Sequence, residues 1–161
     1  MFKRIGELLV ECGELKTDDL ARILAAQQHA YQPFGRIASQ LFRVKESAIW
    51  SAWAQQYARF CPRIELAGEP NSREVLANLT PTSAWNHRLL PLRWHDGDLV
   101  MVTCPPRLAR ALQFVDARIE VPTVIWLTDS AHALEDALLA AYPGCDRLEN
   151  FAEAPVTVDA A

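Results

Sequence analysis

The first sixty residues carry one pattern twice. Shifted by 29 positions, residues 4–27 (RIGELLVECGELKTDDLARILAAQ) fall on residues 33–56 (PFGRIASQLFRVKESAIWSAWAQQ). Gly6 meets Gly35, Lys16 meets Lys45, Ala25 meets Ala54 and Gln27 meets Gln56. The apolar positions agree as well: Ile5 with Phe34, Leu8 with Ile37, Leu15 with Val44, Leu20 with Ile49. A repeated unit of this length is a single supersecondary element that buries its apolar face by stacking on its neighbour.

Each copy predicts two helices. Ile5, Leu8, Leu9 and Cys12 follow the i, i+3, i+4, i+7 spacing of an amphipathic helix. Gly13 supplies the stop, because glycine takes the left-handed geometry without a Cβ penalty. Thr17, Asp18 and Asp19 offer capping oxygens and negative charge for the next helix, whose face carries Leu20, Ile23, Leu24 and Gln27. In the second copy Ile37, Leu41 and Val44 lead to a helix over about 46–60 with Ile49, Trp53 and Tyr57 on one stripe, ended by Pro62. The expected fold is α+β: a duplicated helical hairpin of four helices over 1–61, then a small α/β subdomain over 71–143.

Residues 61–70 read as a connector between them. Asn71 or Ser72 caps a short helix, REVLANL, closed by Pro81. Asp96-Gly97 between Leu89–Trp94 and Leu99–Thr103 signals a hairpin. Pro105-Pro106 ends the second strand and starts a helix, the β-branched run Val121–Leu127 predicts a third strand, and a last helix ends at Pro143-Gly144. The order after Pro81 is therefore β-β-α-β-α. Residues 144–161 read as an acidic, flexible tail.

Composition and charge exclude several functions. Residues 1–60 carry eight Lys/Arg against six Asp/Glu, and residues 61–161 eight against fourteen, with no basic stripe for DNA. No apolar run approaches a membrane span, and Glu7, Glu11 and Glu14 break any signal peptide, so a cytoplasmic chain without direct membrane insertion is expected. Cys12, Cys61, Cys104 and Cys145 are far apart and read as small reduced core residues, with no zinc spacing. No G-x-x-x-x-G-K-[ST], G-x-S-x-G, H-E-x-x-H or G-x-G-x-x-G occurs, and His29, His87, His95 and His132 are scattered. No enzyme activity, catalytic residue, metal or required cofactor is expected.

The repeat resembles the N-terminal domain of type II secretion and type IV pilus assembly ATPases, whose mannose-sensitive haemagglutinin pilus branch binds cyclic di-GMP through a tandem R-L-G-x-x-L-x-x-x-G-x-x-x-x-x-x-L-x-x-A-L-x-x-Q motif. Copy one matches with Arg4, Ile5, Gly6, Leu9, Gly13, Leu20, Leu24 and Gln27. Copy two keeps Gly35, Ala52 and Gln56, with Pro33, Phe34, Ala38, Phe42, Ile49 and Trp53 at the other motif positions. HRLLPLRWHDGDLVMVTCPP resembles a later segment of the same family, so the likeness spans about residues 3–143. It implies a non-catalytic input domain of the kind that precedes an ATPase, either an excised N-terminal piece or a free-standing module that acts on a partner. Two readings follow. One is a regulatory or docking module for a protein of a secretion or pilus machine, such as an ATPase or an inner-membrane platform protein, which would place the chain peripherally at that membrane; Trp50, Trp85 and Trp94 are its candidate exposed rings. The other is a cyclic di-GMP receptor using Arg4, Ile5, Gly6, Leu9, Gly13, Leu20, Leu24, Gln27, Gly35 and Gln56.

Overall fold

The computed structural model describes residues 3–144; the tail expected beyond Gly144, with Cys145, lies outside the described residues. Four helices build the two hairpins: α1 (Ile5–Glu11), α2 (Thr17–His29), α3 (Phe34–Phe42) and α4 (Glu46–Ala58). In copy one each helix start is tied by a carboxylate three residues on. Glu7 Oε2 accepts from the Arg4 N–H at 2.7 Å, and Asp19 Oδ2 accepts from the Lys16 N–H at 3.0 Å. Gly13, at φ 77°, ends α1 with its own N–H on Val10 O (3.0 Å) and the Glu14 N–H on Leu9 O (2.9 Å).

Copy two departs at just these points. Pro33 has no N–H to cap, and Arg36 stands where Glu7 stood. Phe42 replaces the stop glycine, so α3 runs on through it and the left-handed residue becomes Arg43, at φ 54°. A side chain in that conformation costs roughly 1–2 kcal/mol.

α2 lies against α3 and α1 against α4, so the two hairpins interlock. Leu8, Leu9, Ile23, Ile37, Ala38 and Val44 fill the space between them. Cys12, expected in this core, is exposed: it caps α1, and Leu8 and Leu9 hold the interior positions.

The second half contains α5 (Arg73–Leu76), α6 (Pro81–His87), β1 (Leu90–His95), β2 (Asp98–Thr103), α7 (Leu108–Arg118), β3 (Thr123–Leu127) and α8 (Ala131–Ala141). A tight helical turn, Pro105–Arg107, leads into α7. The fold is α+β as expected, with one added element. Pro81 opens α6 rather than closing the helix before it, because Thr80 Oγ1 accepts from the Ser83 N–H at 3.2 Å and proline suits a first turn. The α6 residue Trp85, expected as an exposed ring, is buried in the core.

The sheet order is β1-β2-β3, antiparallel then parallel, with α7 as the crossover. Asp96 (φ 51°) and Gly97 (φ 88°) form the expected tight turn with both central residues left-handed. Leu90, Leu92, Met101, Ile125, Leu127 and Leu138 are among the side chains packed beneath the helices.

Residues 62–64 do more than connect. The Leu127 N–H donates to Pro62 O at 3.0 Å, and the Ile64 N–H donates to Leu127 O at 2.9 Å, so this segment covers the outer edge of β3. Next along that edge, the Tyr57 hydroxyl both accepts from the Ile125 N–H and donates to Ile125 O, each at 3.0 Å. Helix α4 thus serves two cores: Ala48, Ile49 and Ala52 pack into the helical cluster, while Ala54, Tyr57 and Ala58 pack against the sheet.

Candidate functional site

The ten residues marked by the family resemblance sit in three settings. Arg4, Gly13 and Leu24 are exposed; Ile5, Leu20, Gln27, Gly35 and Gln56 are half-buried; Gly6 and Leu9 are buried. Gly6 and Gly35, equivalent in the two copies, are packing positions. A β-carbon on Gly6 would come within 2.4 Å of Leu20 Cδ1 and 3.0 Å of Phe34 Cζ, and one on Gly35 within 2.9 Å of Ile49 Cγ2. Leu20 and Ile49 are themselves repeat equivalents, so one glycine-on-aliphatic contact is built twice and sets how closely the helices approach. Gln27 is also committed, its Nε2 donating to Gln32 O at 3.1 Å across the link between copies.

Two clefts adjoin the repeats, and copy two lines both. A groove of about 780 Å³ runs between α3, α4 and α7, with Gly35, Ile49, Trp50, Trp53, Leu112 and Val115 among its walls and Arg36, Glu46 and Asp116 among its polar groups. A second cleft, of about 520 Å³, lies between the end of α4 and the sheet. Trp53, Tyr57, Phe60, His95 and Trp126 wall it, with Gln56, Asp96 and Asp98 supplying polar atoms. Trp53 and Tyr57 belong to both clefts, and no residue of copy one lines either.

Exposure follows the repeat. Leu24 (46% exposed) and Trp53 (50%) are equivalents, as are Tyr31 and Phe60, and Cys12 and Leu41; all six are exposed. Single exposed apolar residues are ordinary. Here the same positions recur in both copies, and copy two enlarges Leu24 to a tryptophan between two clefts, as at interaction surfaces.

Two titratable groups at this face, Cys61 and Tyr57, are held neutral by burial. Burial pushes the Cys61 thiol up to about 11, and its Sγ–H donates to Ile125 O at 2.9 Å, so it is a neutral donor rather than a nucleophile. Burial also raises the Tyr57 phenol, chiefly by desolvation. His87, farther off, is pushed down by burial and then by Arg110; it stacks on Phe114 at 4.1 Å. Among the described residues no group of three or more His, Cys, Asp or Glu is placed to hold a metal, and no helix is long and apolar enough to cross a membrane.

Sequence reasoning placed Trp53 on a helical stripe without assigning it a role, and passed over Phe60, Trp126 and Asp98. Trp53, Tyr57 and Phe60 follow i, i+4, i+7 on and just beyond one helix, which is a legible signal. Trp126 and Asp98 reach the cleft only through the tertiary fold. Of the candidate tryptophans, Trp94 is exposed and Trp50 half-buried.

Fold and surface together define a small α+β domain whose distinguishing feature is an aromatic face rather than a constellation of reactive groups. Residues 61–140 match the family model of the MshEN domain. This stretch is of the N-terminal-domain family of type II secretion and type IV pilus assembly ATPases. The matched stretch begins after both copies of the helical repeat.

Similar solved structures include MshE with cyclic di-GMP, 22% identical, over 87% of this chain and 99% of that one, at a TM-score of 0.45. The N-terminal domain of XpsE is similar in two crystal structures, at 20% and 18% identity and TM-scores of 0.41 and 0.42; these matches cover 88% and 86% of this chain and 98% and 97% of theirs. No curated protein sequence matches the chain significantly.

Proposed function

We propose that this chain is a docking and regulatory module of a secretion or pilus assembly machine, and that the aromatic face of α4 receives a protein partner there, an ATPase or an inner-membrane platform protein. The observation that carries the reading is Trp53, half exposed where the two clefts join. Tryptophan and tyrosine give large contact area at low entropic cost and dominate binding energy at interfaces. Because α4 packs into both cores, a partner held on it bears on both halves of the module at once.

Site-specific photo-crosslinking tests this. With benzoylphenylalanine at position 53 in the native cell, illumination is expected to give an adduct with a component of the secretion or pilus machine. The same probe at Glu74, exposed on α5, is expected to give none. No adduct with such a component from position 53, or equal adducts from both positions, overturns the proposal.

One observation favours a cyclic di-GMP receptor as a second reading. Arg4, Gly13 and Leu24 of copy one all lie on the surface, offering a planar guanidinium for phosphate or a guanine edge, a glycine that lets backbone amides approach, and apolar area. Copy two weighs against it: Pro33 stands in place of Arg4, and Phe42 sits inside α3 in place of Gly13. Losing one charge-assisted contact costs roughly 1.5–3 kcal/mol, at least about tenfold in affinity. This reading requires saturable, guanine-specific binding that Arg4→Ala abolishes.

A further inference from the structure

We infer that the cleft between the end of α4 and the sheet takes a cationic side chain, an arginine, presented by the docked protein. The inference rests on the docking reading and names what the partner brings to one of its two clefts.

Trp53, Tyr57, Phe60 and Trp126 bring aromatic rings to the cleft, and aromatic faces carry the negative end of a quadrupole. A cation within about 6 Å of such a face is attracted to it, most strongly over tryptophan. Asp96 and Asp98 line the same cleft, and among the described residues no lysine or arginine does. Of the arginines near the lining residues in sequence, Arg63 pairs with Asp129, and Arg93 with Glu69 at 2.9 Å. His95 meets Trp126 edge-on at 5.7 Å and lies 3.4 Å from Asp96, while Tyr57 and Cys61 stay protonated at neutral pH.

Trp126 already accepts a guanidinium within the fold, that of Arg93, 5.2 Å from the ring centroid. Arginine fits the cleft better than lysine, because its flat guanidinium stacks on a ring while its edge N–H groups reach a carboxylate. An anion fits badly. The two aspartates repel phosphate, and residues 61–144, with ten Asp/Glu against seven Lys/Arg, set up a field that steers a basic partner toward this half.

The test is an NMR titration of the ¹⁵N-labelled chain with acetyl-Gly-Arg-Gly-amide, read at the Trp53 and Trp126 indole N–H signals. Glutamine and glutamate tripeptides and guanosine serve as controls. The arginine peptide is expected to shift both indoles in a saturable, millimolar titration, and the controls are not. Asp98→Asn is expected to weaken binding roughly fivefold, as the loss of one partly exposed charge contact implies. Asp96→Asn gives a second variant whose fold is safe, because asparagine tolerates the left-handed turn position. Equal shifts with the glutamine peptide, shifts with guanosine, or unchanged affinity in both variants overturns the inference. If the arginine peptide fails to bind while position 53 still crosslinks to the machine, the cation site falls and the docking reading stands.

Discussion

Gly6, Gly13 and Gly35 look alike in the repeat but answer to different physics. Gly35 is pressed against Ile49, whose β-branched side chain is stiff at χ1 in a helix, whereas Gly13 has open space around it and is required only by its positive φ. Gly35→Val is therefore expected to destabilise by about 2–3 kcal/mol through overpacking, and Gly13→Ala by about 1 kcal/mol through backbone strain alone. Denaturant midpoints of the two variants check this; equal losses would contradict the packing role of Gly35. His87 gives a second expectation at this scale. Its folded pKa lies below the ordinary 6.5, so the unfolded chain binds more protons once the pH falls below that value. Its contribution is intact above about pH 6.5 and is lost progressively on acidification toward the lowered folded value. The urea midpoint should fall between pH 7 and 5, and His87→Phe, which keeps a ring on Phe114, should flatten that slope. An unchanged slope in His87→Phe would show that other groups carry it.

Among the elements, the open side of β3 is closed by a side chain where another strand would normally lie. The Tyr57 hydroxyl satisfies both the N–H and the C=O of Ile125. Tyr57→Phe keeps the ring and orphans a strand N–H, so a loss of about 1–3 kcal/mol is expected. Hydrogen exchange should show the Ile125 amide losing protection first; unchanged protection there would mean that another group satisfies it. This closure was not legible in the sequence, since the connector 61–70 and Tyr57 meet β3 only through long-range packing. The elements set by local chemistry were legible: the Gly13 stop, the Asp96-Gly97 turn, and the cap before α5, where of Asn71 and Ser72 it is Ser72 whose Oγ accepts from the Val75 N–H at 3.2 Å. α6 was missed although its signal is local, because Pro81 after a short helix reads as a stop until Thr80 is recognised as a cap. The site divides in the same way. The repeat gave the register of Leu24 and Trp53, but only the fold brings Trp126 and Asp98 to α4.

For the whole molecule, we propose that residues 1–61 and 71–143 are two parts that share α4 rather than merely adjoin. The two apolar clusters are distinct, and that helix contributes to each. The erosion of copy two then has a consistent direction. It loses the capping carboxylate, the residue equivalent to Arg4 and the stop glycine, and it gains Trp50 in the groove against α7 and Trp53 where the two clefts join. The most direct measurement is isothermal titration of the chain with cyclic di-GMP, with GTP and cyclic di-AMP as controls, on wild type and Arg4→Ala. The docking account predicts no saturable heat even at high ligand concentration. A one-to-one isotherm of micromolar affinity, specific for guanine and abolished by Arg4→Ala, would contradict it and make the chain a second-messenger receptor.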